Sequence, residues 1–558
     1  MARYSAAALA TIVLLSACGD DAASGDTDTG AAEESSGGTG GDSTGADSDP
    51  STSGVDSSDT SADETGSGGE TEGDTGEIPG CDAVGFADPS VWSLPDISAL
   101  PLNNPDDAAH TMAADRSCEN DEDFRFVIMD LTGDGQVDYV ITDGCDAQGV
   151  GTDRWIVHPG EDGGFGGAQT WTLPDISALP LTNPDDAAHT TAADRSCEND
   201  EDFRFVLMDL TGDGRVDYVI TDGCDAQGVG SERWIVHPGE DGGFGGAQTW
   251  TLPDISALPL TNPDDAAHTT VADRSCENDE DFRFLLMDLT GDGQVDYVIT
   301  DACDATGVGS DRWIVHPGED GGFGGAQTWS LPDISALPLT NPDDAAHTTA
   351  ADRSCENDED FRFVLMDLTG DGQTDYVITD GCDAAGVGAE RWIVHPGEDG
   401  GFGGAQTWSL PDVSALPLNN PDDVAHTTAA DRSCENDEDF RFVLMDLTND
   451  GRPDYVITDG CDAAGVGAER WIVHPGEDGG FGGAQTWSLP DVSAMPLNNP
   501  DDAAHTTAAD RSCENDEDFR FVLSELHGDG ALDYVITDGC DAQGVGSDRW
   551  IVHAGTCE

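Results

Sequence analysis

Lysine is absent from this chain. Its 21 basic residues are all arginine, and they stand against 114 Asp and Glu, for a formal net charge of -93 over 558 residues. A field this negative repels phosphates and anionic headgroups, which excludes nucleic-acid binding and a basic membrane-surface patch and favours divalent cations. Long hydrophobic runs are also missing. The apolar stretch Ala6–Leu15 is too short to cross a bilayer. Apolar residues make up only 37% of the chain, and the deficit is uneven. Residues 19–80 hold 17 acidic residues, no basic ones and no aromatics. Such a segment cannot bury enough apolar surface to offset its ordering entropy, and it reads as a disordered, self-repelling tether. The repeats that follow contain no Gly-x-Ser-x-Gly, no phosphate-cradling loop and no His-Glu-x-x-His.

Residues 1–18 read as an address. Leu15-Ser16-Ala17-Cys18 resembles a bacterial lipobox, which implies lipidation at Cys18 and export. Gly19 is not the retention Asp of inner-membrane lipoproteins. The expected location is therefore the bacterial outer membrane or cell surface, with membrane contact only through the lipid anchor.

Residues 81–558 are one unit written six times. Trp92, Trp171, Trp250, Trp329, Trp408 and Trp487 recur every 79 residues, as do Trp155, Trp234, Trp313, Trp392, Trp471 and Trp550. In the first copy the runs 124–130, 138–143, 154–158 and 169–173 read as strands, with a Gly-rich hairpin loop over 159–167. The central strands are near-continuously apolar, as in sheets covered on both faces. Four strands per repeat predict an all-β, six-bladed β-propeller of antiparallel blades. The last copy lacks a fourth strand, and Val91-Trp92-Ser93-Leu94 supplies the missing piece, so the N-terminal strand is expected to complete the last blade and close the ring. The segment 94–119 reads as a long loop with one helical turn near Asp106–Ala109.

Fifteen Cys suit an oxidising compartment. Cys81 and Cys557 fall at nearly the same place in the repeat frame, and a disulfide between them would clasp the ring. Two further Cys flank the first two strands of each copy and suggest disulfides within blades: Cys118 with Cys145, Cys197 with Cys224, Cys276 with Cys303, Cys355 with Cys382, Cys434 with Cys461 and Cys513 with Cys540. Each copy also carries two His, such as His110 and His158, but the short ligand spacing of zinc sites is absent.

Between the first two strands the first copy places Asp130, Thr132, Asp134 and Asp138 at positions 1, 3, 5 and 9 of a loop. Gly135 makes the turn, and a carbonyl at Gln136 can point inward. That oxygen-rich set suits calcium. The same positions, with the carbonyl residue of position 7, recur as Asp209, Thr211, Asp213, Arg215 and Asp217; Asp288, Thr290, Asp292, Gln294 and Asp296; Asp367, Thr369, Asp371, Gln373 and Asp375; and Asp446, Thr448, Asp450, Arg452 and Asp454. The sixth copy departs, with Glu525, His527, Asp529 and Asp533. His527 is a poor calcium ligand, so five or six Ca2+ sites are expected.

The run Asp-x-Thr-Gly-Asp-Gly-x-x-Asp-Tyr-Val-Ile, followed by Trp-Ile-Val-His-Pro-Gly-Glu-Asp-Gly-Gly-Phe-Gly-Gly-Ala, resembles the FG-GAP/VCBS repeat of integrin-alpha-type propellers. The resemblance covers about half of each copy. It departs at Thr in loop position 3 and in the Cys-bearing insertion between blades. It implies a calcium-stabilised propeller used for adhesion and ligand binding. The acidic run Glu119–Asp123 could mimic paired catalytic carboxylates, but it recurs in every copy and reads as a solvated or cation-binding face. Six equal sites suit multivalent binding. The chain is thus expected to be a non-enzymatic, monomeric binder of a surface glycan or protein. The alternatives are a polysaccharide lyase or hydrolase, with the divergent Ser524, Glu525 and His527 as the place for a unique site, or a purely structural surface protein.

Overall fold

The computed structural model describes residues 85–98, 116, 125–144, 149–177, 204–222, 228–255, 283–301, 307–334, 362–380, 386–413, 432, 441–459, 465–492, 520–538 and 544–555. All of them belong to one compact unit. The signal segment, the tether, the helical turn near Asp106, His110 and the run 119–123 lie outside the described residues. So do all fifteen cysteines, and with them every expected covalent feature. These are the lipidation site Cys18 and the ring clasp of Cys81 with Cys557. They are also the six expected bridges within blades: Cys118 with Cys145, Cys197 with Cys224, Cys276 with Cys303, Cys355 with Cys382, Cys434 with Cys461 and Cys513 with Cys540. The described part of each blade stops just short of the second Cys of its pair, at Gly144 before Cys145 and at Asp222, Asp301, Asp380, Asp459 and Asp538 before Cys224, Cys303, Cys382, Cys461 and Cys540. No helix among the described residues is long and apolar enough to cross a membrane.

The first blade follows the apolar runs of the sequence. Its strands are β2 (Arg125–Met129), β3 (Asp138–Asp143), β4 (Arg154–His158) and, after a short hairpin, β7 (Gln169–Thr172), hydrogen-bonded in that order and all antiparallel. The central strands β3 and β4 are almost wholly buried, whereas the edge strands are partly exposed. Expected strand 124–130 stops at Met129, which frees Asp130 for the loop. Expected strand 169–173 stops at Thr172, although Leu173 N still donates to Asp153 O at 2.9 Å. The Gly-rich segment is more ordered than an open loop. Strands β5 (Gly160–Glu161) and β6 (Gly164–Phe165) form a small ladder, closed by Gly166 N donating to Pro159 O at 2.7 Å.

Six four-stranded sheets repeat this plan. In the last one, β1 (Ser90–Ser93) pairs antiparallel with Arg549–His553, with Trp92 opposite Trp550, as the sequence predicts. Phe86 bridges to Gly555, and His553 Nδ1 lies 2.9 Å from Ala87 O. The chain start thus replaces both the hairpin and the outer strand that the last copy lacks.

The core lies between blades. Six apolar clusters each draw on two neighbouring blades, and one joins Trp92, Leu94, Trp550 and Val552 of the last blade to Tyr139, Ile141 and Ile156 of the first. The ring is therefore closed. Each cluster centres on two tryptophans of one blade gripping the hairpin Phe of the next. Phe165 lies edge-on to Trp92 at 5.5 Å and to Trp550 at 5.6 Å, and Phe86 plays the same part against Trp471 and Trp487. Such pairs contribute about 0.5–1.5 kcal/mol each beyond burial.

Candidate metal centre

The loop between β2 and β3 is held by two carboxylates that act as backbone caps. Asp130 accepts the N–H groups of Gly133 (2.7 Å), Asp134 (3.1 Å) and Gly135 (2.8 Å). Asp138, fully buried at the start of β3, accepts from Leu131 (2.9 Å), Thr132 (2.8 Å) and, across the blade, Gly160 (3.0 Å). Asp134 Oδ1 accepts from Gln136 N at 2.9 Å. Gly133 and Gly135 have φ of 73° and 88°, a region L side chains avoid. In the fifth loop Asn449 holds the first of these positions at φ 55°, and Asn is among the residues that tolerate it. Gly160 is also required by space, since an added Cβ would lie 2.6 Å from Val137 O.

Positions 1, 5 and 9 converge. Carboxylate oxygens of Asp130, Asp134 and Asp138 lie within 4.8 Å of one another, as do those of Asp209, Asp213 and Asp217 and of Asp288, Asp292 and Asp296. Asp367, Asp371 and Asp375, and Asp446, Asp450 and Asp454, share the same backbone caps. The position-3 hydroxyls face the position-9 carboxylate of their own loop, at 3.2–3.4 Å for Thr132, Thr211, Thr290, Thr369 and Thr448. Burial is the main force raising Asp138, Asp217, Asp296, Asp375 and Asp454 above the ordinary carboxylate range, and Asp454 reaches about 6. Burial also raises Asp209 and Asp446.

This donor set fits a hard cation. Three carboxylates at such range repel one another, and a divalent ion would relieve the repulsion. Position 9 is the constrained member. A carboxylate offers about four lone-pair directions, and three N–H groups already use most of them. Any metal contact there would be through one oxygen.

The position-7 side chains reach sideways, a feature the sequence does not show. A Cβ built on Gly133 would lie 3.4 Å from Arg215 of the next blade, and one on Gly528 would lie 3.7 Å from Gln136. The loops thus touch in succession at one end of the ring. Arg215 and Arg452 also pair with the exposed Asp241 and Asp478 at 2.6 Å.

The sixth loop is built differently. His527 Nδ1 lies 2.8 Å from Asp533 Oδ2, where the other loops use a threonine. The His527 ring stands edge-on to Trp92 at 5.5 Å. Glu525 takes the place of the first Asp and accepts from Gly530 N, Asp529 Oδ1 accepts from Ala531 N at 3.0 Å, and burial raises the Glu525 carboxyl.

Two further features lie elsewhere on the ring. Arg116 is buried between blades, donating to Pro95 O and, at 3.1 Å, to Ser547 O, with its guanidinium 5.4 Å from the Tyr139 ring centre. Arg432 does the same between Ala389, Pro411 and Tyr455. These are rivets rather than ligand contacts. At the inner edge, a cavity of about 490 Å³ is lined by Phe126, Ile128, Arg441, Arg520, Val522 and Asp459, among others, from the first, fifth and sixth blades. Three blades share it because their first strands surround the axis.

No family model and no curated protein matches this chain. Solved structures similar to it include a Photorhabdus luminescens Tc holotoxin pore (16% identity, TM-score 0.41), with 85% of this chain covered but only 15% of that one. An Agrocybe aegerita lectin described as recognising non-reducing terminal N-acetylglucosamine shares 18% identity (TM-score 0.37; 78% and 81% covered). A Bacillus licheniformis rhamnogalacturonan lyase shares 13% (TM-score 0.27; 77% and 70% covered). The expectation of a non-enzymatic protein is corrected by this last finding. One fold hosts binding and catalysis alike, so the missing catalytic motifs do not exclude an enzymatic role.

Proposed function

We propose that this protein is a calcium-loaded propeller of the FG-GAP/VCBS kind, exported as an outer-membrane or cell-surface lipoprotein through Cys18, that works as a monomer binding a surface glycan or protein. The single observation that carries the reading is the convergence of three carboxylates, one of them wholly buried, in successive copies of one loop. Calcium in these loops holds the blade ends rigid, and the rigid ring presents repeated surfaces whose avidity exceeds any single affinity. The test is calorimetric titration of the purified full chain with Ca2+, followed by a glycan screen with calcium and with a chelator. Saturable binding of several ions with calcium-dependent glycan capture supports the reading. An absence of calcium binding overturns it.

A second reading, catalysis at the sixth loop, is favoured by the His527–Asp533 pair. A buried carboxylate fixes one ring nitrogen and leaves the other to carry a proton. Loss of any polysaccharide-cleaving activity in His527→Ala, with binding retained, is the result this reading requires.

A further inference from the structure

The residue at position 7 of a loop belongs to two loops at once. Its backbone N–H donates to the position-5 carboxylate of its own loop, Gln136 to Asp134 at 2.9 Å, Arg215 to Asp213 at 3.0 Å and Arg452 to Asp450 at 2.9 Å. Its side chain lies against position 4 of the preceding loop. A Cβ built on Gly133 would lie 3.4 Å from Arg215, on Gly212 3.7 Å from Gln294, on Gly291 3.9 Å from Gln373, on Gly370 2.9 Å from Arg452 and on Gly528 3.7 Å from Gln136. Position 4 is itself part of a cage, since the N–H groups of Gly133, Gly291 and Gly370 donate to the position-1 carboxylate at 2.7–2.8 Å. The stem of the position-7 side chain has little room to move aside. A Cβ on the hairpin glycine of its own blade, Gly160 or Gly239 for instance, would come within 2.9–3.0 Å of its Cβ.

Five junctions use this contact, and the junction of the fifth and sixth loops reverses it. There position 7 is Ala531, too short to reach across, while position 4 of the fifth loop is Asn449 rather than glycine. A Cβ on Gly530 would lie 3.4 Å from Asn449 Nδ2. Asn449 is the only non-glycine residue with positive φ among the described residues, and that region is unfavourable for any side chain. The side chain missing from one loop is thus supplied by its neighbour, against backbone strain. Turn chemistry alone does not ask for it, since glycine serves at position 4 in the other five loops.

We propose that these side chains couple the loops, so that calcium held in one loop raises the affinity of the next. Positions 1, 5 and 7 carry oxygens that a cation gathers, so an occupied loop keeps its position-7 side chain fixed against the preceding loop. The peptide held there is the one that orients that loop's first carboxylate. Such coupling is reciprocal. The inference rests on the calcium reading above and deepens it by naming how the sites are regulated: the ring fills over a narrower calcium range than independent loops. Arg215 and its equivalents act as positioning residues.

The test is calorimetric titration of the full chain with Ca2+, comparing the wild-type chain with Arg215→Ala and Arg215→Gln. Both variants keep the position-7 carbonyl, and both lose the same charge and the ion pair with Asp241. Only glutamine retains the reach that the third and fourth loops use at this position. Arg215→Ala should bind the same number of ions over a broader range, with at least one ion held about fivefold more weakly. Arg215→Gln should match the wild-type chain. Should Arg215→Ala fold poorly, Arg452→Ala and Arg452→Gln make the same comparison at the junction of the fourth and fifth loops. Calcium binding unchanged in the alanine variant, or weakened equally in the glutamine variant, overturns the coupling and leaves the calcium reading standing. An absence of calcium binding by the wild-type chain overturns both.

Discussion

Asp138 shows how one side chain serves both fold and site. It is buried and accepts three backbone N–H groups, from Leu131, Thr132 and Gly160. Replacing it by Ala strands buried donors that cost about 1–3 kcal/mol each, so Asp138→Ala should lose about 3 kcal/mol or more in urea unfolding, even with calcium absent. A loss that appears only with calcium present would mean the residue is a ligand and not a cap. The equivalent Asp454 carries a sign that can be read against pH. Burial first, and then the nearby Asp446 and Asp450, raise its carboxyl to about 6 from the ordinary 3.8. An acid raised in the folded state contributes stability below its unfolded value and loses it as pH rises through the folded one. Metal-free protein should therefore become less stable between pH 4 and about 6, by about 3 kcal/mol at most for this group. Calcium bound as proposed would hold the carboxylate ionised, so the slope should flatten or reverse when it is added. Thermal melts across that range, with calcium and with a chelator, check both signs. The sequence made the three carboxylates legible because their spacing is local. It could not show that two of them also cap the loop, since one of the donors, Gly160 N, comes from 22 residues away.

The strands were legible for the same local reason. Central strands 138–143 and 154–158 stand where β-branched and aromatic residues cluster, and the missing fourth strand of the last copy could be found by aligning copies. The ladder β5–β6 within the expected Gly-rich hairpin was not legible, because it is only two residues a side and held by Gly166 N on Pro159 O and by Phe165 seated against the preceding blade. The closing strand yields the sharpest prediction at this scale. Trp92 is 1% exposed and sits in the cluster that joins the last blade to the first. Trp92→Ala should cost about 3–5 kcal/mol by cavity formation. Deleting residues 85–98 should do more. It removes the whole partner of Arg549–His553 and exposes a bare strand edge, the kind of edge that pairs with other chains. Size-exclusion chromatography should then show the deletion variant more associated than the full chain. A deletion variant that stays monomeric with an unchanged melt would contradict the role of the closing strand.

At the scale of the molecule, the contacts between loops turn six local sites into one ring. Arg215 lies over Gly133, Gln294 over Gly212 and Gln136 over Gly528, so the ring of loops closes across the same seam as the sheets. Only the loop preceding that seam has lost the common ligand pattern. In it His527 takes Asp533, and Glu525 replaces the first Asp. The imidazole occupies a carboxylate oxygen at 2.8 Å, while in the other loops a threonine hydroxyl lies 3.2–3.4 Å from the equivalent group. The sixth loop thus has no hydroxyl oxygen at position 3, and the ring nitrogen that replaces it is committed to Asp533, so calorimetry should find five calcium ions rather than six. Restoring the common pattern with Glu525→Asp and His527→Thr should raise the count by one. Each site filled at about 100 times its dissociation constant adds about 2.7 kcal/mol of stability, so the double variant should also gain in melting temperature under saturating calcium but not under chelator. If the wild-type chain already takes six ions, or if the restored loop adds none, the His527–Asp533 bond is not what sets the stoichiometry, and the seam would differ from the other loops in sequence without differing in cation binding.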